Sequence, residues 1–428
     1  MAQWQVETQA LDPRISSHYE VMMSADSYSE RSDGIGGNLV DAFGRVRISD
    51  PYTLFEASVR YGLTTERFSS QNSATGSTIT MSTFEGCANI ALDANSGSYI
   101  YRESKKVFGY QPGKSLLILN SFNFAPAQTN LRQRIGYFSA NNGIYFEQAN
   151  NEVTMVIRTI KTGQVTENRV PQSQWNVDKM DGTGPSRFVL DTSNTQIQFI
   201  DIEWLGAGTV RTGFIINGKF NTVHKFHHAN QIKATYMQTA CLPIRLEVEN
   251  IGPVANASIF KQICHSVVSE GGYSQVTTTR SVSNPLAGKN LVGITPMVSI
   301  RLREGRTDAI VIPSFVSMYG LQATAYKVSL LVDVTSLTGA SWVTADTTSS
   351  VEYDISATAV TGGRIVYEDI FRGQDSIPPL NLTEMFNHTL QLTRNLGATT
   401  GNIFTIAIEP TTNNDDGIIS LSWQEHIQ

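Results

Sequence analysis

From about residue 46 onward, apolar and polar residues alternate in short runs broken by Gly, Asn, Asp and Pro. That period of two marks strands that bury one face. Residues 134–138 and 143–147 flank Ala140-Asn141-Asn142, a hairpin loop because Asn and Gly tolerate positive φ. Residues 196–204, 210–216 and 219–226 read as a three-strand meander, turning at Leu205-Gly-Ala-Gly208 and at Asn217-Gly218. The Asn-Gly pair is the strongest two-residue hairpin signal. Residues 326–334 and 363–370 are again rich in Val, Ile and Tyr. Amphipathic helices are scarce. The best candidate, 257–269, reads equally as a strand with Ile259, Ile263 and Val267 on one alternating face. The pattern predicts an all-β protein built of antiparallel β-sandwich or jelly-roll-like domains with an extended N-terminal arm.

The arm is expected over residues 1–45, which show neither helical nor strand periodicity and pass through Asp33-Gly-Ile-Gly-Gly-Asn38. A larger β-sandwich-type domain is expected over 46–280. A linker at 281–290 follows, where Ser281-Val-Ser-Asn-Pro-Leu-Ala-Gly-Lys289 is polar and turn-rich, and then a C-terminal β-sandwich over 291–428. No fixed-period repeat and no sustained heptads occur, which excludes a solenoid and a coiled-coil shaft.

Composition adds one point. Charged residues make up 16% of the 428, against about a quarter in an average soluble domain, so the surface is largely neutral and polar. Such a surface costs less to dehydrate, which suits a chain that buries itself against neighbours. The net charge is −6 and the basic residues are scattered. Arg132 and Arg134 lie close together but alternate along a strand, so no basic patch for nucleic acid is expected. No apolar run approaches the roughly 18 residues of a membrane span. Met-Ala-Gln-Trp-Gln at the start lacks the basic and apolar regions of a signal peptide, so assembly in a cytoplasm is expected. Cys87, Cys241 and Cys264 are widely spaced in apolar contexts and are expected to be reduced.

Four features hint at chemistry. Gly109-Tyr-Gln-Pro-Gly-Lys-Ser115 resembles a phosphate loop, but only three residues separate its glycines and Leu116-Leu-Ile-Leu119 reads as a strand, so a Pro-Gly turn is expected. His224, His227 and His228 cluster, yet His224 and His228 would stand about 13 Å apart on a strand, too far for one zinc ion. Asp201 and Glu203 share a strand face at a separation that could suit glycosidase carboxylates, although such pairs are common on sheet faces. Trp204 is expected to point to the opposite side. Gly34-Ile-Gly-Gly37 has no strand before it or helix after it, and no Gly-x-Ser-x-Gly turn occurs. No catalytic, cofactor or metal site is expected from these residues.

Several phrases together resemble a family of virion structural proteins recurrent in tailed phages, notably marine and cyanophage types. They are Asp41-Ala-Phe-Gly-Arg-Val-Arg-Ile-Ser-Asp-Pro-Tyr-Thr-Leu-Phe55, Phe108-Gly-Tyr-Gln-Pro-Gly-Lys-Ser-Leu-Leu117, Arg132-Gln-Arg-Ile-Gly-Tyr-Phe138 and Asp201-Ile-Glu-Trp-Leu-Gly206. Val298-Ser-Ile-Arg-Leu302 and residues 351–372 look similar as well. The resemblance implies a non-enzymatic virion subunit present in many copies in a capsid, neck or tail. Its partners would be copies of itself and other virion proteins, with no nucleic acid and no membrane. The alternative is a tail-associated host-recognition protein that binds or processes glycan, since surface Tyr and Trp suit sugars as well as interfaces.

Ordering a backbone costs about 1–2 kcal/mol per residue, and the arm's periodic apolar content is too small to offset it. Its isolated anchors, among them Trp4, Leu11, Ile15 and Tyr19, suit a strand laid along a neighbour. Deleting residues 1–36 is therefore expected to leave the melting temperature of the isolated protein nearly unchanged while sharply lowering incorporation into particles, or self-association. Calorimetry and particle-assembly assays of the truncated chain check both halves.

Overall fold

The computed structural model describes residues 41–45, 50–272, 277–375, 377–386 and 389–426. The expected arm lies outside the described residues up to position 40, together with the Gly34–Gly37 turn. Strand accounts for 53% of the described residues and helix for 2%, and the segment that allowed either reading is the 13-residue strand Ser258–Glu270. The α-helical turn Leu382–Met385 is capped by Asn381, whose side chain accepts the Glu384 N–H.

The first sandwich stacks two antiparallel sheets. One has eight strands, in the order Lys219–Phe226, Val210–Ile216, Gln196–Ile202, Leu116–Asn123, Ser258–Glu270, Cys87–Leu92 and Ser77–Ser82, with Pro51–Ser58 also paired to Ser258–Glu270. The other has seven, in the order Thr166–Pro171, Glu152–Thr159, Gly143–Ala149, Leu131–Phe138, Ile244–Asn250, Tyr99–Ser104 and Phe68–Asn72. The predicted meander and the hairpin about 140–142 are both present. Asn217 and Gly218 take φ of +52° and +72°, as a two-residue turn with the twist of the flanking strands requires. Alternation sends Leu131, Ile135, Tyr137, Ile144 and Phe146 inward to one core. At its centre the rings of Phe122 and Phe124 lie 4.6 Å apart, and those of Phe124 and Phe146 stack at 5.5 Å.

The second sandwich pairs a five-stranded sheet with a six-stranded one. The five-stranded order is Thr278–Ser283, Asp415–His426, Ile310–Gly320 and Leu380–Asn381, with Lys289–Leu291 also on Asp415–His426. The six-stranded order is Val343–Thr344, Val351–Asp354, Thr295–Leu302, Ile403–Pro410, Ala325–Thr338 and Ala359–Arg372. Trp423, Tyr326, Ile300 and Ile406 fill its core. Of the linker expected at 281–290, residues 284–288 are a turn between strands, while 281–283 and 289–290 belong to strands. Residues Thr278–Ser283 and Lys289–Leu291 are strands of the second sandwich, both paired to Asp415–His426. Their polar composition reflects an edge strand with mostly exposed side chains, not an unstructured connection.

Val107 and Cys241 of the first sandwich pack on Ile310 and Ile312 of the second. Around this apolar joint, the Arg394 N–H donates to Lys105 O at 3.0 Å and Lys105 Nζ lies 3.2 Å from an Asp333 carboxylate oxygen. The Leu396 N–H donates to Ser69 Oγ at 2.7 Å. A cleft of about 660 Å³ opens beside the joint, with Leu54, Arg67 and Lys106 on one wall and Asp333, Arg364 and Ile365 on the other.

Phe124→Ala removes a fully buried ring and is expected to cost about 3–5 kcal/mol, whereas Phe84→Ala, on a fully exposed ring, is expected to be neutral. Urea denaturation of the two variants makes the comparison.

Candidate functional site

The outer face of the seven-stranded sheet is charged across its width. Alternation aims Arg132 and Arg134, Glu147, Arg158, Glu167 and Arg169, Arg245, Glu247 and Glu249, and Glu103 away from the core. Register then sets opposite charges directly across from one another: Arg134 against both Glu147 and Glu247, Arg132 against Glu249, Arg158 against Glu167, and Arg245 against Glu103. Arg134 Nε reaches Glu147 at 2.6 Å and its Nη1 reaches Glu247 at 2.8 Å. Arg245 joins Glu247 and Glu103, both at 2.7 Å. Arg158 and Arg169 hold Glu167 at 3.0 and 2.7 Å, and Arg169 also binds Glu147.

Aromatic rings lie under and beside the charges. Phe138 and Tyr145 are fully buried with centroids 4.6 Å apart, and the Arg158 guanidinium stands 5.0 Å from the Tyr145 ring. Gly136 opposite Tyr145 makes room for it, because a Cβ there would come within 2.8 Å of the Tyr145 Cβ. Tyr99 and Tyr101 stand 4.8 Å apart and half-buried toward the other side, with the Tyr101 hydroxyl donating to Glu249 at 2.7 Å. The face is open at its rim, where the Arg169 side chain is 40% exposed and that of Arg132 is 30% exposed. Past Glu103 it is closed by the second sandwich, whose Arg394 reaches Glu103 at 3.1 Å.

Two of these carboxylates, Glu247 and Glu167, are held in the ionised form. Burial pushes Glu247 up, but the Arg245 and Arg134 guanidiniums outweigh it and hold the carboxyl below its ordinary value. At Glu167 burial is likewise outweighed, by the Tyr145 hydroxyl and by Arg169 and Arg158, which bring it down to about 2.

The residues singled out in the sequence fall elsewhere. Asp201 and Glu203 do share the outer side of the eight-stranded sheet, and both are buried. Asp201 accepts from Ser115 Oγ and, at 3.1 Å, from Arg211 Nε. Glu203 is bound by Arg45 at 2.5 Å, and the same guanidinium holds Asp41 at 2.5 Å and donates to Gly113 O at 3.2 Å. Trp204 turns to the inner side, edge-on to Tyr110. Residues 41–45, 110–115 and 201–204 therefore meet here. Burial raises Glu203 to about 7, helped by the neighbouring Asp41 carboxylate. This is a clasp on the described end of the N-terminal segment, enclosed by its own ion pairs.

Gly109-Tyr-Gln-Pro-Gly-Lys-Ser115 is a turn leading into strand Leu116–Asn123, and no helix follows it. His224, His227 and His228 make separate contacts. His224 Nδ1 accepts the Asn176 N–H at 3.2 Å, the His227 ring lies 3.4 Å from Thr209 Oγ1, and His228 Nδ1 is 2.7 Å from Gly208 O. Among the described residues no group of three His, Cys, Asp or Glu is placed to hold a metal ion. Cys87 and Cys241 are buried free thiols and Cys264 is half-buried. Among the described residues no helix is long and apolar enough to cross a membrane.

No protein-family profile matches the sequence and no curated protein matches it. Solved structures do match. One is the CBM2 module of the evolved Dit of Lactobacillus casei BL23 phage J-1, at 8% identity and TM-score 0.35 over 53% of this chain and 99% of that one. A legume lectin-like domain from Entamoeba histolytica matches at 10% identity and TM-score 0.30, over 49% of this chain and 95% of its own. A putative β-glucanase from Mycobacterium abscessus matches at 10% identity and TM-score 0.34, over 50% of this chain and 100% of its own. At these TM-scores the likenesses decide nothing about function.

Arg134→Met leaves Glu147 and Glu247 short of a buried partner and is expected to cost about 3–5 kcal/mol in denaturant unfolding. The pH dependence has two limbs. Glu167 and Glu247 are depressed, so their stabilisation is present above the ordinary carboxylate range and is lost as pH falls below it, for Glu167 toward about 2. Glu203 is raised, so its contribution is complete below about 4.5 and is lost as pH climbs through about 7. Thermal melts from pH 3 to 9 are expected to show both limbs, with Glu203→Gln flattening only the upper one.

Proposed function

We propose that the chain is a non-catalytic, glycan-binding subunit of a tailed-phage particle, which holds host-surface carbohydrate on the outer face of its seven-stranded sheet. The observation that carries this reading is the cross-strand Arg–Glu ladder beside Tyr99 and Tyr101. A saccharide offers closely spaced hydroxyls, each donor and acceptor, and apolar C–H faces. Most of the ladder is buried, but at its open rim Arg132 and Arg169, held by Glu249 and Glu167, can meet the hydroxyls with little loss of side-chain entropy. Tyrosine rings at the side suit the C–H faces.

The same pairing argues for holding over cutting. Glycoside cleavage needs one carboxyl that carries a proton near neutral pH. On this face every glutamate of the ladder is ion-paired to arginine, and Glu167 and Glu247 are driven away from protonation. The particle location rests on the family resemblance of residues 41–55, 108–117, 132–138 and 201–206, and on the low share of charged residues.

The full chain is expected to bind a subset of host polysaccharides on a glycan array without releasing reducing ends. Tyr99→Ala and Arg169→Ala should each weaken that binding at least about fivefold while leaving the fold intact. If the protein binds neither array glycans nor intact host cells, the ladder is a stability device and the chain a plain scaffold.

A further inference from the structure

Sheet edges are where one chain can pair with another, and proteins ordinarily keep them short or blocked. Here the outermost strands Phe68–Asn72, Ser77–Ser82, Thr166–Pro171, Lys219–Phe226 and Thr278–Ser283 have five to eight residues, and Val343–Thr344 and Leu380–Asn381 have two each. Ala359–Arg372 has 14, and among the described residues it is paired only on the side of Ala325–Thr338. It also carries exposed apolar groups, with Ile365 47% and Ile370 70% exposed.

A bulge opposite Leu330 and Leu331 interrupts this strand, and beyond it residues 367–372 pair one for one with 330–325. Tyr367 and Phe371 turn toward the second core. Alternation therefore turns Glu368, Ile370 and Arg372 outward together. Glu368 confirms the side, accepting from Ser329 Oγ at 3.0 Å and lying 3.7 Å from Lys327 Nζ. The Ile370 N–H bonds to its neighbour Asp369 Oδ1 at 2.8 Å, not to the adjoining strand. The backbone groups of Glu368, Ile370 and Arg372 thus face the free edge.

We propose that two copies of this chain join through residues 367–372, antiparallel about a two-fold axis at Ile370. In this register Ile370 meets Ile370 of the second copy, and Glu368 of each copy lies opposite Arg372 of the other. An apolar contact is thus flanked by two ion pairs on one face, while the Ile370 N–H exchanges its Asp369 carboxylate for a backbone carbonyl across the axis. Neighbouring registers lack this match. Moving the axis to Glu368 or to Arg372 sets like charges against each other, and moving it by half a residue opposes outward to inward side chains. The occupant is a second copy because the strand is complementary to itself in charge. The proposal does not depend on glycan binding.

Sedimentation velocity on the full chain across a concentration series provides the test. A monomer–dimer equilibrium is expected, abolished by Ile370→Lys. Glu368→Arg and Arg372→Glu should each weaken it about tenfold or more, since like charges then stand opposite on both sides of the axis. The double exchange Glu368→Arg with Arg372→Glu should restore it, which a merely structural role for either residue would not do. Circular dichroism of each variant establishes that it is folded. Ile370→Cys, joined by a short bismaleimide, should trap the wild-type-like dimer. Deleting residues 1–36 should leave this pairwise contact intact, even where it lowers larger association. A monomer at every concentration, a dimer indifferent to Ile370→Lys, or a dimer lost only with residues 1–36 would each overturn the proposal.

Discussion

Arg134 lies between Glu147 and Glu247 because the register of three strands puts it there, and most of the first sandwich depends on that register. The strand that aims Arg134 outward aims Ile135 and Tyr137 into the core. A slip of one residue would bring arginine and glutamate inside and expose isoleucine and tyrosine. Hydrophobic burial and charge pairing therefore select one alignment. The five cross-strand ion pairs are dear to desolvate, and their contribution to stability over a well-packed apolar face is small. Their effect is on specificity of alignment, and they leave a rigid polar surface as a by-product.

The second sandwich bears on that surface only at one end. Val107 and Cys241 against Ile310 and Ile312 fix the two units by apolar contact, and the loop bearing Arg394 and Leu396 is thereby held against Glu103 and Ser69. Glu103 would otherwise be a buried carboxylate served by Arg245 alone. Packing in one place thus completes an electrostatic network in another.

The all-β class, the Asn217-Gly218 turn and the meander were legible because each depends on neighbours in sequence. The ladder was not. Arg132 and Arg134 read as two stray bases on a strand, since Glu247 and Glu249 lie more than a hundred positions away and only Glu147, across the predicted hairpin from Arg134, is near in sequence. Asp201 and Glu203 were visible as a pair, and Arg211 stands opposite Asp201 within the predicted meander, but the enclosure of Glu203 by Arg45 spans 158 positions. The segment 281–290 misled for a physical reason: an edge strand needs few apolar residues, so its composition is that of a loop.

In the second sandwich, Thr278 stands opposite Glu425, so its first and last strands run side by side. The chain enters and leaves this unit at neighbouring points on one border. A unit built that way can be lifted out and seated in a surface loop of another protein with two short joints, or rejoined end to end and opened elsewhere, without crossing either sheet. What such a transplant would lose is the cover of Val107 and Cys241 over Ile310 and Ile312, which then face water and call for two polar replacements.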